Sequence, residues 1–209
     1  MPDHRPTTPR NPLSRLRLVH DLAALDQALY EAVTVTRTPT LDTALRRLSR
    51  AADHSKLSFA AAAALTLLPG RPRRAAVLGV AAIGVASAAA NLVGKQLVRR
   101  PRPHRAEDSP FPGRHVPMPA SASFPSGHTA SAVAFAAAVG PVVPAATIPL
   151  GLLAAAVGYS RIHTGVHYPG DVIAGAVLGT GAAATVLAVS GVAGVTPPST
   201  LFRLGRARG

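Results

Sequence analysis

The sequence predicts an all-α fold: an integral membrane helical bundle of about five transmembrane helices, preceded by amphipathic helices lying on the membrane interface. Three observations carry this expectation. Hydrophobic residues make up 48% of the 209-residue chain, against 15% charged. The apolar residues gather into long uncharged runs at 75–94, 129–160 and 172–195. Those runs are rich in Ala, Val, Leu and Gly, while aromatic residues stand at 4% and tryptophan is absent. That composition suits helices packed closely through small side chains in a bilayer.

Residues 1–17 combine Arg5, Arg10, Arg15 and Arg17 with Pro2, Pro6, Pro9 and Pro12, and lack the apolar stretch of a signal peptide. A disordered basic N-terminus is expected there. In the segment 18–56, Leu18, Leu22, Leu25, Leu29 and Val33 recur on one helical face, with Asp21 and Asp26 at its flanks and Glu31 nearly opposite. Three acids would be costly inside a bilayer, so this helix is placed on the interface. Thr38-Pro39-Thr40 breaks it, and a second polar helix over 41–56 sets Arg46, Arg47 and Arg50 at headgroup depth.

Residues 57–196 read as one transmembrane domain. Its first apolar run, 57–68, is too short alone to cross about 30 Å of hydrocarbon. It spans only if its helix begins a turn or so before Lys56, with that lysine snorkelling. Pro69-Gly70 and Arg71, Arg73 and Arg74 end it, and 75–94 is long enough to cross. The run 129–160 exceeds one span, and Gly140-Pro141 and Pro144 divide it into two helices. The last span, 172–195, leads into a basic tail at 197–209 with Arg203, Arg206 and Arg208. If the later helices all cross, the Arg71 to Arg74 cluster and the tail share one side, which the positive-inside rule makes cytoplasmic. The polar segments 95–126 and 161–171 then share the outward side of a cell (inner) membrane.

The formal net charge of +13 admits nucleic acid, anionic lipid or a phosphorylated ligand as partner. The basic residues flank apolar runs and do not interleave with aromatics, so nucleic acid is not expected. The absence of cysteine excludes disulfides, thiol catalysis and cysteine-built zinc sites. Nothing in the sequence fixes an oligomeric state.

Three polar clusters fall on the same side. Lys95 and Arg102-Pro103 follow a span; they suit a basic stop-transfer cluster or a lysine and an arginine fork clamping a phosphate. Arg99, Arg100 and Arg105 nearby read as headgroup contacts. Pro125-Ser126-Gly127-His128 precedes an apolar helix. Ser126 suits an N-cap, but the helix start is also an anion site that Gly127 lets a phosphate approach and where His128 can supply a proton. Ser160-Arg161, His167 and Asp171 form the third cluster. Asp171 suits a helix N-terminus, or it holds one nitrogen of His167 and leaves the other as a nucleophile. His163 and Tyr168 read as wall residues.

Lys95 with six residues before Arg102-Pro103, then Pro125-Ser126-Gly127-His128, then Ser160-Arg161 with five residues before His167 and three more before Asp171, resembles the three-part signature of the type 2 phosphatidic acid phosphatase family. That group includes bacterial acid phosphatases and vanadium haloperoxidases. The resemblance covers 95–171. It implies a catalytic helical bundle that removes phosphate from a lipid phosphate or diphosphate, such as polyprenyl diphosphate, phosphatidic acid or a related phospholipid, without metal or other cofactor. By position, His167 would be the nucleophile that forms a phosphohistidine, Asp171 its orienting partner and His128 the acid for the leaving oxygen. Lys95, Arg102, Ser126, Gly127 and Arg161 would form the phosphate-binding shell. The expected partners are a phosphorylated lipid substrate and the surrounding membrane lipids. Two other readings stay open: a haloperoxidase holding vanadate in the same shell, and a non-catalytic membrane protein that binds anionic lipid.

Overall fold

Small side chains decide how the helices meet. In the computed structural model, which describes residues 12–105 and 111–192, a central helix α6 (Gly127–Val139) packs against α4 (Arg71–Ala88), α7 (Thr147–His163) and α8 (Pro169–Val189). The seam is a set of buried alanines: Ala82 and Ala86 on α4, Ala130, Ala134 and Ala138 on α6, Ala182 and Ala183 on α8. With so little side chain between them, the backbones come close and dispersion contacts hold the bundle. Gly175 and Gly179 mark the tight approach of α8 to α6: a Cβ would stand 2.5 Å from the carbonyl oxygen of Ser126 at the first and closer still to that of Ala130 at the second. Larger residues, Leu78, Ile83, Phe135 and Val139, fill the part of the core that α3 (Lys56–Thr66) covers with Ala62.

The second span carries a change of pitch. After α4 the chain runs through a π-helical segment, Ala89–Gly94, into one further turn, α5 (Lys95–Leu97). This wider winding brings Gly94 against Pro125: a Cβ on Gly94 would lie 2.6 Å from the proline Cδ.

Among the described residues no strand occurs, and three helices are long and apolar enough to cross a membrane: Arg71–Leu97, Pro144–His163 and Pro169–Val189. The all-α membrane bundle is therefore observed, but helix length does not support the count of about five spans. α6 has 13 residues and α3 has 11, against about 20 for a crossing. The extra turn expected before Lys56 is not there. His54 (φ 56) and Ser55 (φ 58) adopt left-handed backbone in a 3-10 turn, Asp53–Ser55, and stop α3 from running backwards.

Ahead of these lie α1 (Pro12–Val35) and α2 (Pro39–Ala51), each with a proline at its start, where the missing N–H costs nothing. Residues 12–17 thus belong to a helix, earlier than the expected start at Leu18. Leu18, Leu22, Leu25 and Leu29 stay exposed, while Tyr30 is buried against the bundle. The leucine face of α1 is not covered by the described protein, and its flank meets protein through Asp26. The expectations for residues 1–11, for the end of the last apolar run and for the tail fall outside the described residues.

Antiparallel packing of α4, α6, α7 and α8 brings Lys95, Ser126 to His128, Arg161, His167 and Asp171 to one end. Arg71, Arg73 and Arg74 lie at the other, where Arg74 Nη2 donates to the Ser190 carbonyl at 3.1 Å.

Candidate active site

The connection between α7 and α8 folds back tightly, with His167 N–H donating to the Arg161 carbonyl at 3.2 Å. This buries His167 to 2% exposure beside Asp171, which is fully buried. Asp171 Oδ2 accepts the Tyr168 N–H at 2.9 Å and lies 3.5 Å from His167 Nδ1. One carboxylate therefore serves both proposed uses, helix N-terminus and histidine partner. Among the described residues no closer acceptor reaches Nδ1, and such a loose contact is of the kind that tightens when substrate binds. Ring nitrogen Nε2 faces the other way, 3.3 Å from Arg102 Nη1. Burial pushes the His167 imidazole down to about 4, with the charges of Arg102 and Arg161 adding to the shift and the Asp171 contact opposing it. At neutral pH the ring is uncharged and Nε2 carries a lone pair when Nδ1 holds the proton.

Arg102 is held by carbonyls. Its Nε donates to Ser121 O at 2.8 Å, Nη1 to Val166 O at 2.7 Å and Nη2 to Ala122 O at 3.3 Å. Burial lowers its pKa, against the attraction of Asp171. Lys95 Nζ donates to Asn91 Oδ1 at 2.8 Å and to Ser121 Oγ at 3.2 Å, and Arg102 Nη2 reaches the same hydroxyl at 3.3 Å. Ser121 thus ties the two cations together at the wall of an open cleft of about 640 Å³, where Gln96, Arg99 and Met118 also stand.

At the start of α6, Ser126 makes no side-chain cap; its hydroxyl accepts from Thr129 Oγ1 at 3.0 Å and its N–H donates to the Asp171 carbonyl at 2.9 Å. A Cβ on Gly127 would meet nothing within 4 Å, so the backbone there borders open space. Arg161, 2% exposed, donates through Nη1 to Ser49 Oγ and keeps Nε without a partner. These first-turn amides and the spare Arg161 N–H are donors free for an anion.

Several residues given another part, or none, by the sequence turn out to brace this end. Arg100, expected at the headgroups, bridges Asp26 of α1 at 2.7 Å and Asp171 at 3.0 Å, and its guanidinium lies 3.9 Å over the Tyr168 ring. Arg105, given the same expectation, instead donates to the carbonyls of Gly165, Val116 and Thr164. Wall residue His163 pairs with Asp42 of α2 at 2.9 Å, as does Arg114 at 3.1 Å. His128 Nε2 lies 2.9 Å from Asp53 Oδ1, and Arg161 Nη1 lies 3.8 Å from the same atom. Asp26 and Asp53 carry a weak signal, being acids in a basic chain beside apolar runs, but spacing alone names no partner for them.

The geometry has relatives. The fold superposes on a transmembrane PAP2-type phosphatidylglycerolphosphate phosphatase from Bacillus subtilis with a TM-score of 0.65, at 22% identity, covering 82% of this chain and 87% of that one. It also superposes on Aquifex aeolicus LpxE with a TM-score of 0.63, at 26% identity, covering 78% of this chain and 95% of that one. In sequence, the chain is 41% identical over 128 residues to decaprenylphosphoryl-5-phosphoribose phosphatase of Mycobacterium tuberculosis, 59% of this chain and 66% of the relative's length. The chain therefore spans just under two thirds of that protein. A lipid A 1-phosphatase of Rhizobium johnstonii is 38% identical over 96 residues, 43% of this chain and 37% of its own length. The profile of the PAP2 superfamily matches residues 76–193, the stretch in which all three polar clusters lie, and the chain belongs to that superfamily.

Proposed function

We propose that this protein is a lipid phosphatase that hydrolyses a membrane-lipid phosphate in two steps, without a metal, through a phosphohistidine at His167. One observation carries the reading: a buried, uncharged imidazole set between the Asp171 carboxylate at Nδ1 and the Arg102 guanidinium at Nε2. In the first step Nε2 attacks phosphorus and the bond to the lipid oxygen breaks. His128 gives that oxygen a proton, and Nδ1–H leans on Asp171 as the ring becomes charged. In the second step His128, now neutral, takes a proton from water as the water oxygen attacks phosphorus, and inorganic phosphate leaves. Lys95, Arg102, Arg161 and the amides of Gly127 and His128 hold the equatorial oxygens, which carry most of the charge in phosphoryl transfer.

The lipid class rests on the membrane bundle and on the named activities of the relatives. Those names favour a polyprenyl-linked phosphomonoester, with polyprenyl diphosphate, phosphatidic acid and phosphatidylglycerol phosphate as the other candidates. The site faces outward from the cell membrane in this proposal, because Arg71, Arg73 and Arg74 stand at the opposite end. The test is a panel of these lipids with purified protein in excess chelator, together with acid- and base-quenched single turnovers. Phosphate release from at least one lipid, a base-stable and acid-labile phosphoprotein, and loss of both in His167→Ala are expected. Full activity with no phosphoprotein in any quench would overturn the covalent route.

A further inference from the structure

Asp53 lies outside the matched stretch 76–193, and the phosphate chemistry above gives it no task. Yet its carboxylate is 2.9 Å from His128 Nε2 and 3.8 Å from Arg161 Nη1. We infer that Asp53 is the positioning partner of His128, holding Nε2 so that Nδ1 is presented to the leaving oxygen. This rests on the phosphatase reading and extends it to a residue of the N-terminal segment.

The chemistry of the pair follows from the atoms. An imidazole with one nitrogen bound to a carboxylate has its ring orientation and tautomer fixed, which leaves the other nitrogen for proton transfer. His167 uses this device with Nδ1 toward Asp171 and Nε2 toward phosphorus. In His128 the nitrogens exchange duties, with Nε2 toward Asp53 and Nδ1 left for the leaving group. As the bond from phosphorus to the lipid oxygen breaks and His167 Nε2 takes the phosphoryl group, the proton moves from His128 Nδ1 to that oxygen. Asp53 transfers nothing; its carboxylate favours the imidazolium against burial and the Arg161 charge, which push the His128 ring down. The other charged or titratable groups within electrostatic reach of His128 are Arg161 and His167, neither of which can accept from it as a carboxylate does. On the side where His128 meets the 3-10 turn and α3, the shared wall is Ser55, Leu57 and Ser58.

The backbone around Asp53 supports a specific placement. His54 and Ser55 are the two non-glycine residues with left-handed backbone among those described, and they follow Asp53 directly. Such a conformation persists only where its surroundings hold it. Just ahead of the turn, Ser49 of α2 accepts from Arg161 Nη1.

The test compares two phosphomonoesters on the same preparations: an alkyl monoester such as farnesyl phosphate, whose leaving alkoxide needs a proton, and p-nitrophenyl phosphate, whose leaving group needs little help. His128→Ala sets the reference. For Asp53→Asn, which keeps the shape, and for Asp53→Ala, the ratio of kcat/KM for farnesyl to that for p-nitrophenyl phosphate, which reports the first step alone, is expected to fall about tenfold, a part of the roughly 10²–10⁴-fold that general-acid catalysis contributes. KM should change less than kcat, and Asp53→Glu should recover part of the ratio. Turnover of p-nitrophenyl phosphate in each variant reports a folded site. An equal loss on both substrates would make Asp53 merely structural and overturn the inference. So would a lower KM with higher turnover in Asp53→Ala, the sign of a carboxylate blocking the phosphate site. A wild-type enzyme that turns over no phosphate ester would overturn the phosphatase reading itself, a result distinct from either.

Discussion

Arg100 Nη1 donates to Asp171 Oδ1 at 3.0 Å, so the carboxylate that faces His167 is shared between a cation and a histidine. The cation tempers the negative charge that the imidazole feels. Replacing Arg100 with Gln leaves more of that charge to favour the imidazolium, and the His167 pKa should rise. The acid limb of kcat/KM against pH is therefore expected to move to higher pH in Arg100→Gln. Titration of activity between pH 3 and pH 8 checks it, and an unmoved limb would detach Arg100 from the site.

The wild-type profile has its own sign. His167 is lowered by burial from 6.5 to about 4, and burial with the Arg161 charge lowers His128 to about 4 as well. The nucleophile must be neutral and the acid charged, so activity should fall both as pH drops through about 4 and as it rises well above that value. The same shift acts on stability. Between about 4 and 6.5 the unfolded chain binds a proton at His167 that the folded chain does not, so stability rises with pH across that window. It is complete above it and lost below. Thermal midpoints in detergent at pH 4.5 and 7 should differ less for His167→Gln than for the wild type.

Much of the site is legible in sequence because its residues lie at fixed spacing at helix ends. Lys95, Arg102, Ser126, Gly127, His128, Arg161, His167 and Asp171 share one end because the apolar runs between them fold antiparallel, and hydropathy shows those runs. What stays hidden is which face of an amphipathic helix meets protein. The leucines of α1, expected on the membrane interface, stay exposed, but nothing in the spacing pairs Asp26 with Arg100. In a bilayer leucine does not mark the face that meets protein, because lipid covers leucine as well as a core does. The break before α3 is hidden for another reason: His54 and Ser55 turn left-handed without a glycine to announce it.

Close packing at Gly175 positions the start of α6 over Asp171. A valine there would press on the Ser126 carbonyl, 2.5 Å from a Cβ, and on Thr129 Cβ at 3.2 Å. Gly175→Val is expected to destabilise by about 1–3 kcal/mol, the usual range for overpacking. It should also lower kcat at temperatures where the protein remains folded, because the Ser126 N–H to Asp171 contact shifts. Thermal unfolding and turnover on the same sample separate the two effects.

Arg114 is 1% exposed and donates to the carbonyls of Val33, Thr34 and Thr36 as well as pairing with Asp42. It satisfies the frayed end of α1 and joins it to α2. Arg114→Met leaves these carbonyls without their donor and Asp42 with only His163 and Thr38, at a loss of about 1–3 kcal/mol, typical of buried polar groups left unsatisfied. Proteolysis within α1 should speed up before the rest of the bundle opens. Cleavage sites mapped over time check the order.

The wider winding at Ala89–Gly94 works as a phase setting for the residue that follows it. A π segment holds one residue more than the α-helix it replaces, so everything beyond it is rotated by about 100° relative to an uninterrupted helix. Lys95 then looks toward Ser121 instead of toward the hydrocarbon. A lineage that lost one residue anywhere in this stretch would keep a good membrane helix and an intact motif on paper, with its lysine aimed at lipid. Aligned sequences with a single-residue gap between 89 and 94 should therefore be judged by the direction of that lysine, not by its presence.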